Sequence, residues 1–168
     1  MALTLLNPSC RAELPFVFEV PTTLESLHDI IALHAKTGKD ASLIIKRIHA
    51  TNSVRLDKRN AEKMQNFYDV ALRRLIAVGD AIFDSGNGGE ELGRYQQLDE
   101  LTKVLYEMSQ DSPDIASTVW GRRLGILQNA HSKRLRDAAL EGDGGDEDYT
   151  AWPSTGVVFA LRVLGHIF

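Results

Sequence analysis

The stretch from Asn60 to Phe83 limits the fold more than any other part of the chain. Met64, Phe67, Ala71, Leu75, Val78 and Ile82 recur every three or four residues, the period of one helix face. Tyr68, Leu72, Ile76 and Phe83 widen that stripe onto a neighbouring face. A helix apolar over two adjacent faces needs a neighbour on each. It therefore predicts an inner helix of a layered helical body, with other helices supplying the walls.

The rest of the chain supplies such helices. The first is predicted to start after Thr22, with Glu25 three residues on in a capping-box pattern. Its inner stripe is Leu24, Leu27, Ile30, Ile31 and His34, and Gly38 ends it. A second, about Asp40 to Ala50, carries Leu43, Ile44 and Ile48, and "TNSVRLD" links it to the Asn60–Phe83 helix. A fourth spans about Arg94 to Gln110, with Leu98, Leu101, Leu105 and Met108 inward. Ser112 and Pro113 open the fifth as N-cap and first helical residue, with Asp114 at its positive end. Ala116, Trp120, Leu124, Leu127, His131 and Leu135 carry its stripe to about Leu140. A sixth begins near Pro153 and runs to Phe168. Residues 84–93 ("DSGNGGEELG") and 141–151, acidic and low in complexity, read as flexible loops.

Residues 1–21, broken by Pro8, Pro15 and Pro21, read as an extended arm, and residues 22–168 as one helical, repeat-like domain. The six helices suggest three antiparallel pairs. The fold expected is all-α: a HEAT-like α-solenoid, or an irregular helical bundle where no literal repeat exists. The apolar pattern still running at Phe168 suggests a chain that continues beyond it, or an end that docks against a partner.

Several function classes lack support. Cys10 is the only cysteine, so no internal disulfide forms and a reducing compartment suits the chain. The N-terminus has neither a basic region nor a long apolar stretch, so it does not read as a signal peptide. No apolar run approaches the roughly 20 residues of a membrane span. "AKTGKDAS" has the Gly-Lys of a phosphate loop, but Leu33 stands where the first Gly is needed and Asp40 where Ser or Thr must reach magnesium. It reads instead as a helix end followed by a helix start. "GNGGEELG" follows a helix rather than a strand, so its amides are not aimed at a pyrophosphate. A calcium loop begun at Asp143 would put Asp148 where Gly is required and Ser154 where Glu is required. His28, His34, His49, His131 and His166 are never three or four residues apart, and no cysteine is near them. No nucleophile–base pair is visible. No catalytic residue, metal ligand or cofactor is expected.

A net charge of −4 argues against RNA as the dominant partner, though a local patch would still reach phosphate. The candidate patch is a strip on the fifth helix: Arg122, Arg123, Lys133, Arg134 and Arg136. The plainer reading is a salt-bridged solvated face, since no aromatic residues interleave to stack bases. Candidate contact residues for proteins are Phe16 and Phe18 of the arm, Trp152, and the helix-six stripe Val157, Leu161, Leu164 and Phe168. Core packing is the default for Trp120 and Trp152.

Three stretches carry a family resemblance: "ELPFVFEVP" (Glu13–Pro21), "NAEKMQNFYDVALRRL" (Asn60–Leu75) and "LDELTKVLYEMSQDSP" (Leu98–Pro113). In order and spacing the chain resembles the nucleolar protein 14 family over roughly residues 13–168, most specifically in the "LTKxLYEMSQ" core. The resemblance implies a fragment of a longer nucleolar protein without a catalytic motif. It implies a scaffold role in the small-subunit processome, serving 18S rRNA maturation and 40S assembly. The partners it implies are another nucleolar complex protein and the U3 ribonucleoprotein, in the nucleus and nucleolus, with possible pre-rRNA contact, no membrane and no small-molecule substrate. The loops Ser85–Gly93 and Glu141–Thr150 do not match the family signature. The alternative function is a direct RNA-binding module using the helix-five strip.

Overall fold

The computed structural model describes residues 14–84, 88–141 and 152–168, with side chains for 14–82, 92–137 and 152–168. It holds α1 (Leu24–His34), α2 (Gly38–Asn52), α3 (Ala61–Asp84), α4 (Gly88–Asp111), α5 (Pro113–Glu141) and α6 (Thr155–Ile167). A short 3-10 turn at Lys58–Asn60 precedes α3. Every regular element among the described residues is helical.

The central helix is α3, as its two-faced pattern requires. It packs most extensively on α4 and α6, and also touches α5 and α1. Phe67, Tyr68, Ala71, Leu72, Leu75 and Val78 are all buried along it. Around them lie Ile44, Ile45 and Ile48 of α2, Leu101, Val104 and Leu105 of α4, Val119 and Trp120 of α5, and Ala160 and Val163 of α6. At about 1.5–3 kcal/mol for each fully buried large apolar side chain, this single core dominates the folding energy.

The helices do not pair off in chain order. The largest contacts are α3 with α6, α2 with α4, and α3 with α4. Thus α6 lies on α3 and not chiefly on α5, its neighbour in sequence. Glycines explain two of these crossings. A Cβ on Gly38 would lie 2.1 Å from the Cα of Gly93, so α2 and α4 meet backbone to backbone. A Cβ on Gly156 would lie 1.9 Å from the Ile76 carbonyl oxygen, so α6 sits equally close to α3.

The first crossing corrects two expectations. Gly38 does not terminate α1; it is the first residue of α2, and Ala35 caps α1. Gly93 does not lie in a loop; α4 already starts at Gly88. Both glycines read as chain breakers because their packing partner is remote in sequence. The expected loop 141–151 lies, apart from Glu141, outside the described residues, as do residues 1–13 of the arm.

The helix starts are also fixed locally. Thr23, not Thr22, caps α1, and it pairs reciprocally with Ser26 rather than with a glutamate (3.1 Å in each direction). Thr37 caps α2: its hydroxyl accepts from Asp40 N–H at 3.2 Å. The Asp40 carboxylate accepts from the N–H of Thr37 and Lys36, at 2.9 and 3.1 Å. The acid that spoils a phosphate loop therefore closes a capping box. At α6 the cap comes from another element, because the Ser154 side chain makes no cap bond. Asp80 of α3 accepts from Gly156 N–H at 2.7 Å, placing a carboxylate at the positive helix end.

The arm from Leu14 to Pro21 lies extended against α2. Arg47 Nη1 donates to the carbonyls of Leu14 and Pro15, both at 2.7 Å. Asn52 Nδ2 reaches the Phe18 carbonyl at 3.4 Å. Phe18 is a core residue, its ring edge-on to His34 with centroids 5.4 Å apart. Phe16 and Val17 turn outward, and Phe16 lies under the Arg47 guanidinium at 5.5 Å.

Candidate functional site

The buried hydroxyl and indole groups between α3, α4 and α5 are occupied by structure. Trp120 Nε1 donates to Tyr68 Oη at 2.8 Å, and Tyr68 and Ser109 share a 2.7 Å bond. Ser109 Oγ donates to the Leu105 carbonyl at 2.6 Å, so Tyr68 must be the donor to Ser109. The result is a one-way chain, from indole to phenol to hydroxyl to carbonyl, across α5, α3 and α4. Burial pushes the Tyr68 phenol above its ordinary value, against the pull of both hydrogen bonds. This phenol is a buried structural donor, not a poised acid or base.

His49 faces Glu107 at 3.4 Å. Burial holds its imidazole below the ordinary value and outweighs the attraction of Glu107 and Asp111, so near neutral pH the ring is uncharged. Beside it, a cavity of about 10 Å³ is lined by Ser53, Met64, Tyr68, Met108 and Asp111, among others. That is room for one water at most, too little for a substrate. Among the described residues no three His, Cys, Asp or Glu side chains converge as metal ligands. No described helix is long and apolar enough to cross a membrane.

The basic strip on α5 divides in two. Arg123 is mostly buried and donates to Asp69 of α3 at 2.5 Å, which removes it from any outer surface. Arg122 remains exposed, with Asp69 at 3.7 Å. Lys133, Arg134 and Arg136 are exposed, and Arg136 Nε donates to the Ser132 carbonyl at 3.2 Å. By helical geometry Arg122, Lys133 and Arg136 share one face over about 20 Å, while Arg134 lies about 100° around with Arg123. The sequence showed the cations but not Asp69, 54 residues from Arg123, which claims one of them.

The apolar candidates also divide. On α6, Gly156, Ala160 and Val163 are buried against α3. Leu164 packs partly on the core and Val157 is half-buried. Val158, Leu161 and Phe168 stay outside, 52%, 43% and 66% exposed, and Trp152 is 73% exposed. Gly165 lies among them with nothing within 4 Å of its would-be Cβ. The outer arc of α6 is therefore an apolar ridge with a low point, edged by Arg162 and His166.

Among the described residues the arrangement offers three surfaces: an apolar ridge on α6, a cationic face on α5 and an aromatic tip on the arm. No curated protein and no solved structure shows significant similarity to the chain. One family model does match, the Nop14-like family, over residues 7–168. With nearly its whole length matched, the chain belongs to the Nop14-like family, a family of nucleolar ribosome-biogenesis factors and not of known enzymes.

Proposed function

We propose that this segment is a non-catalytic scaffold in assembly of the small-subunit processome, acting through protein–protein contacts that support 18S rRNA maturation. Its partners are ribosome-assembly proteins, among them nucleolar complex proteins and components of the U3 particle, and its place is the nucleolus. The observation that carries this reading is the α6 ridge: Val158, Leu161 and Phe168 exposed side by side on a helix whose opposite face is locked to α3. Apolar side chains grouped on a rigid element mark a contact surface more strongly than the same residues scattered. The stacking of a solenoid is not needed for this role; a rigid bundle presents the ridge equally well. The test is density-gradient sedimentation of the full-length protein from cells, wild type against Leu161→Glu and Phe168→Glu together. The double variant should leave the pre-ribosomal fractions while remaining folded.

A second reading has its own observation. Arg122, Lys133 and Arg136 line one exposed face of α5, suited to phosphate contact. If RNA is held there, binding weakens steeply with salt, and each lost contact lowers the slope of log K against log salt by about one. Filter binding of a single-stranded RNA to the wild type and to a variant with all three residues changed to Gln distinguishes the readings.

A further inference from the structure

The α1–α2 turn and the early part of α4 enclose an open groove of about 700 Å³ that the contact surfaces above do not include. Ile31, Ala32 and Ala35 line it from the end of α1, Leu92 from α4, and Lys36 and Lys39 from the turn and the start of α2. Both lysines are exposed. No carboxylate lines the groove among the described residues; the nearby Asp40 is turned into its capping box. A further cation contacts one of the lining residues. Gln97, which lines the groove, accepts from Arg74 Nη2 at 2.7 Å. The other side-chain partner of Arg74 is His28, also neutral, and its Nε is buried without a hydrogen bond. Burial lowers the pKa of this guanidinium, yet arginine stays charged at neutral pH. A positive groove on a chain of net charge −4 is a local feature that composition does not produce.

We infer that this groove binds an acidic protein segment bearing aliphatic side chains, deepening the scaffold reading on which it rests. Charge complementarity selects the acid: Lys36 and Lys39 line the groove with no carboxylate among its described lining residues. The alanine and leucine walls select aliphatic side chains between the acids. Nucleic acid is disfavoured because no aromatic side chain among the described residues lines the groove to stack a base.

The probe is a fluorescein-labelled peptide, EELEDLEE, titrated into the full chain at low salt with anisotropy as readout. The wild type should bind it. Lys36→Glu with Lys39→Glu should weaken binding about tenfold or more, by turning attraction into repulsion. Ala32→Trp, at an exposed helical position lining the groove, should weaken it comparably by filling the space without changing charge. Circular dichroism melts of both variants establish that they are folded. Absence of peptide binding, or binding unchanged in either folded variant, overturns the inference. So does an oligouridylate of similar length that binds as tightly and competes. Sedimentation separates this from the scaffold reading: a Lys36→Glu/Lys39→Glu protein that neither binds peptide differently nor leaves the pre-ribosomal fractions refutes the groove alone. Wild-type protein absent from those fractions refutes the scaffold.

Discussion

The indole N–H of Trp120 reaches the phenolic oxygen of Tyr68 across 2.8 Å, joining α5 to α3 within an apolar core. Tyr68 in turn is the only described route by which Trp120 is satisfied and by which Ser109 receives a donor. Tyr68→Phe keeps the ring and strands the indole donor. The cost of an unsatisfied buried donor is about 1–3 kcal/mol. Urea unfolding should show the midpoint falling with an unchanged slope. A Tyr68→Phe/Ser109→Ala cycle should be markedly non-additive, because both changes break one chain.

The α3–α6 crossing predicts opposite outcomes for two glycines. Gly156→Ala places a Cβ against the Ile76 carbonyl, where backbone must move. Overpacking of this kind costs about 1–3 kcal/mol. Gly165→Ala meets open space and gains helix propensity, worth up to about 1 kcal/mol in favour. Thermal melts of the two single variants should shift in opposite directions.

The Asp80 cap is testable in the same way. Asp80→Ala removes the carboxylate at the start of α6, and loss of a cap costs about 1 kcal/mol. Hydrogen exchange should show the first turn of α6 opening before α3 does, since the defect is local.

These features show where sequence reading stops. The core of α3 was legible from Met64 to Ile82 because helical periodicity is a local signal, and one helix buried on two faces leaves a distinct pattern. Six helices were legible for the same reason. What was not legible is contact between residues far apart. Gly38 and Gly93 looked like punctuation because each is explained only by the other. Arg123 looked like part of a phosphate strip because Asp69 is on another helix. Phe18 could not be told from Phe16 in the pattern Phe16-Val17-Phe18: residues two apart in an extended segment share a face, yet Phe16 and Val17 are exposed and Phe18 is buried. The groove between α1 and α4 has no signature in sequence at all: its lysines flank a turn and its apolar lining comes from residues far apart in the chain, Ile31 and Ala32 on α1 and Leu92 on α4.

The imidazoles set a pH dependence. Burial holds His49 below its ordinary value of 6.5, and His28 is lowered by burial and then by Arg74. The unfolded chain therefore binds protons more readily than the folded one. The stability contributed is complete above 6.5 and is lost as pH falls from there through the lowered folded values. Melting temperature should decline across that window on acidification. His49→Gln, which cannot titrate, should make the decline shallower.

The most direct measurement of the central claim is sedimentation of the full-length protein with small-subunit precursors from nucleolar extracts, compared across two surface variants of equal melting temperature. Leu161→Glu/Phe168→Glu should shift the protein to light fractions, while replacement of Arg122, Lys133 and Arg136 by Gln should leave most of it in the heavy ones. If the α6 variant stays with the precursors and the α5 variant is lost, the segment holds RNA through its basic face, and the account of a protein-docking scaffold is contradicted.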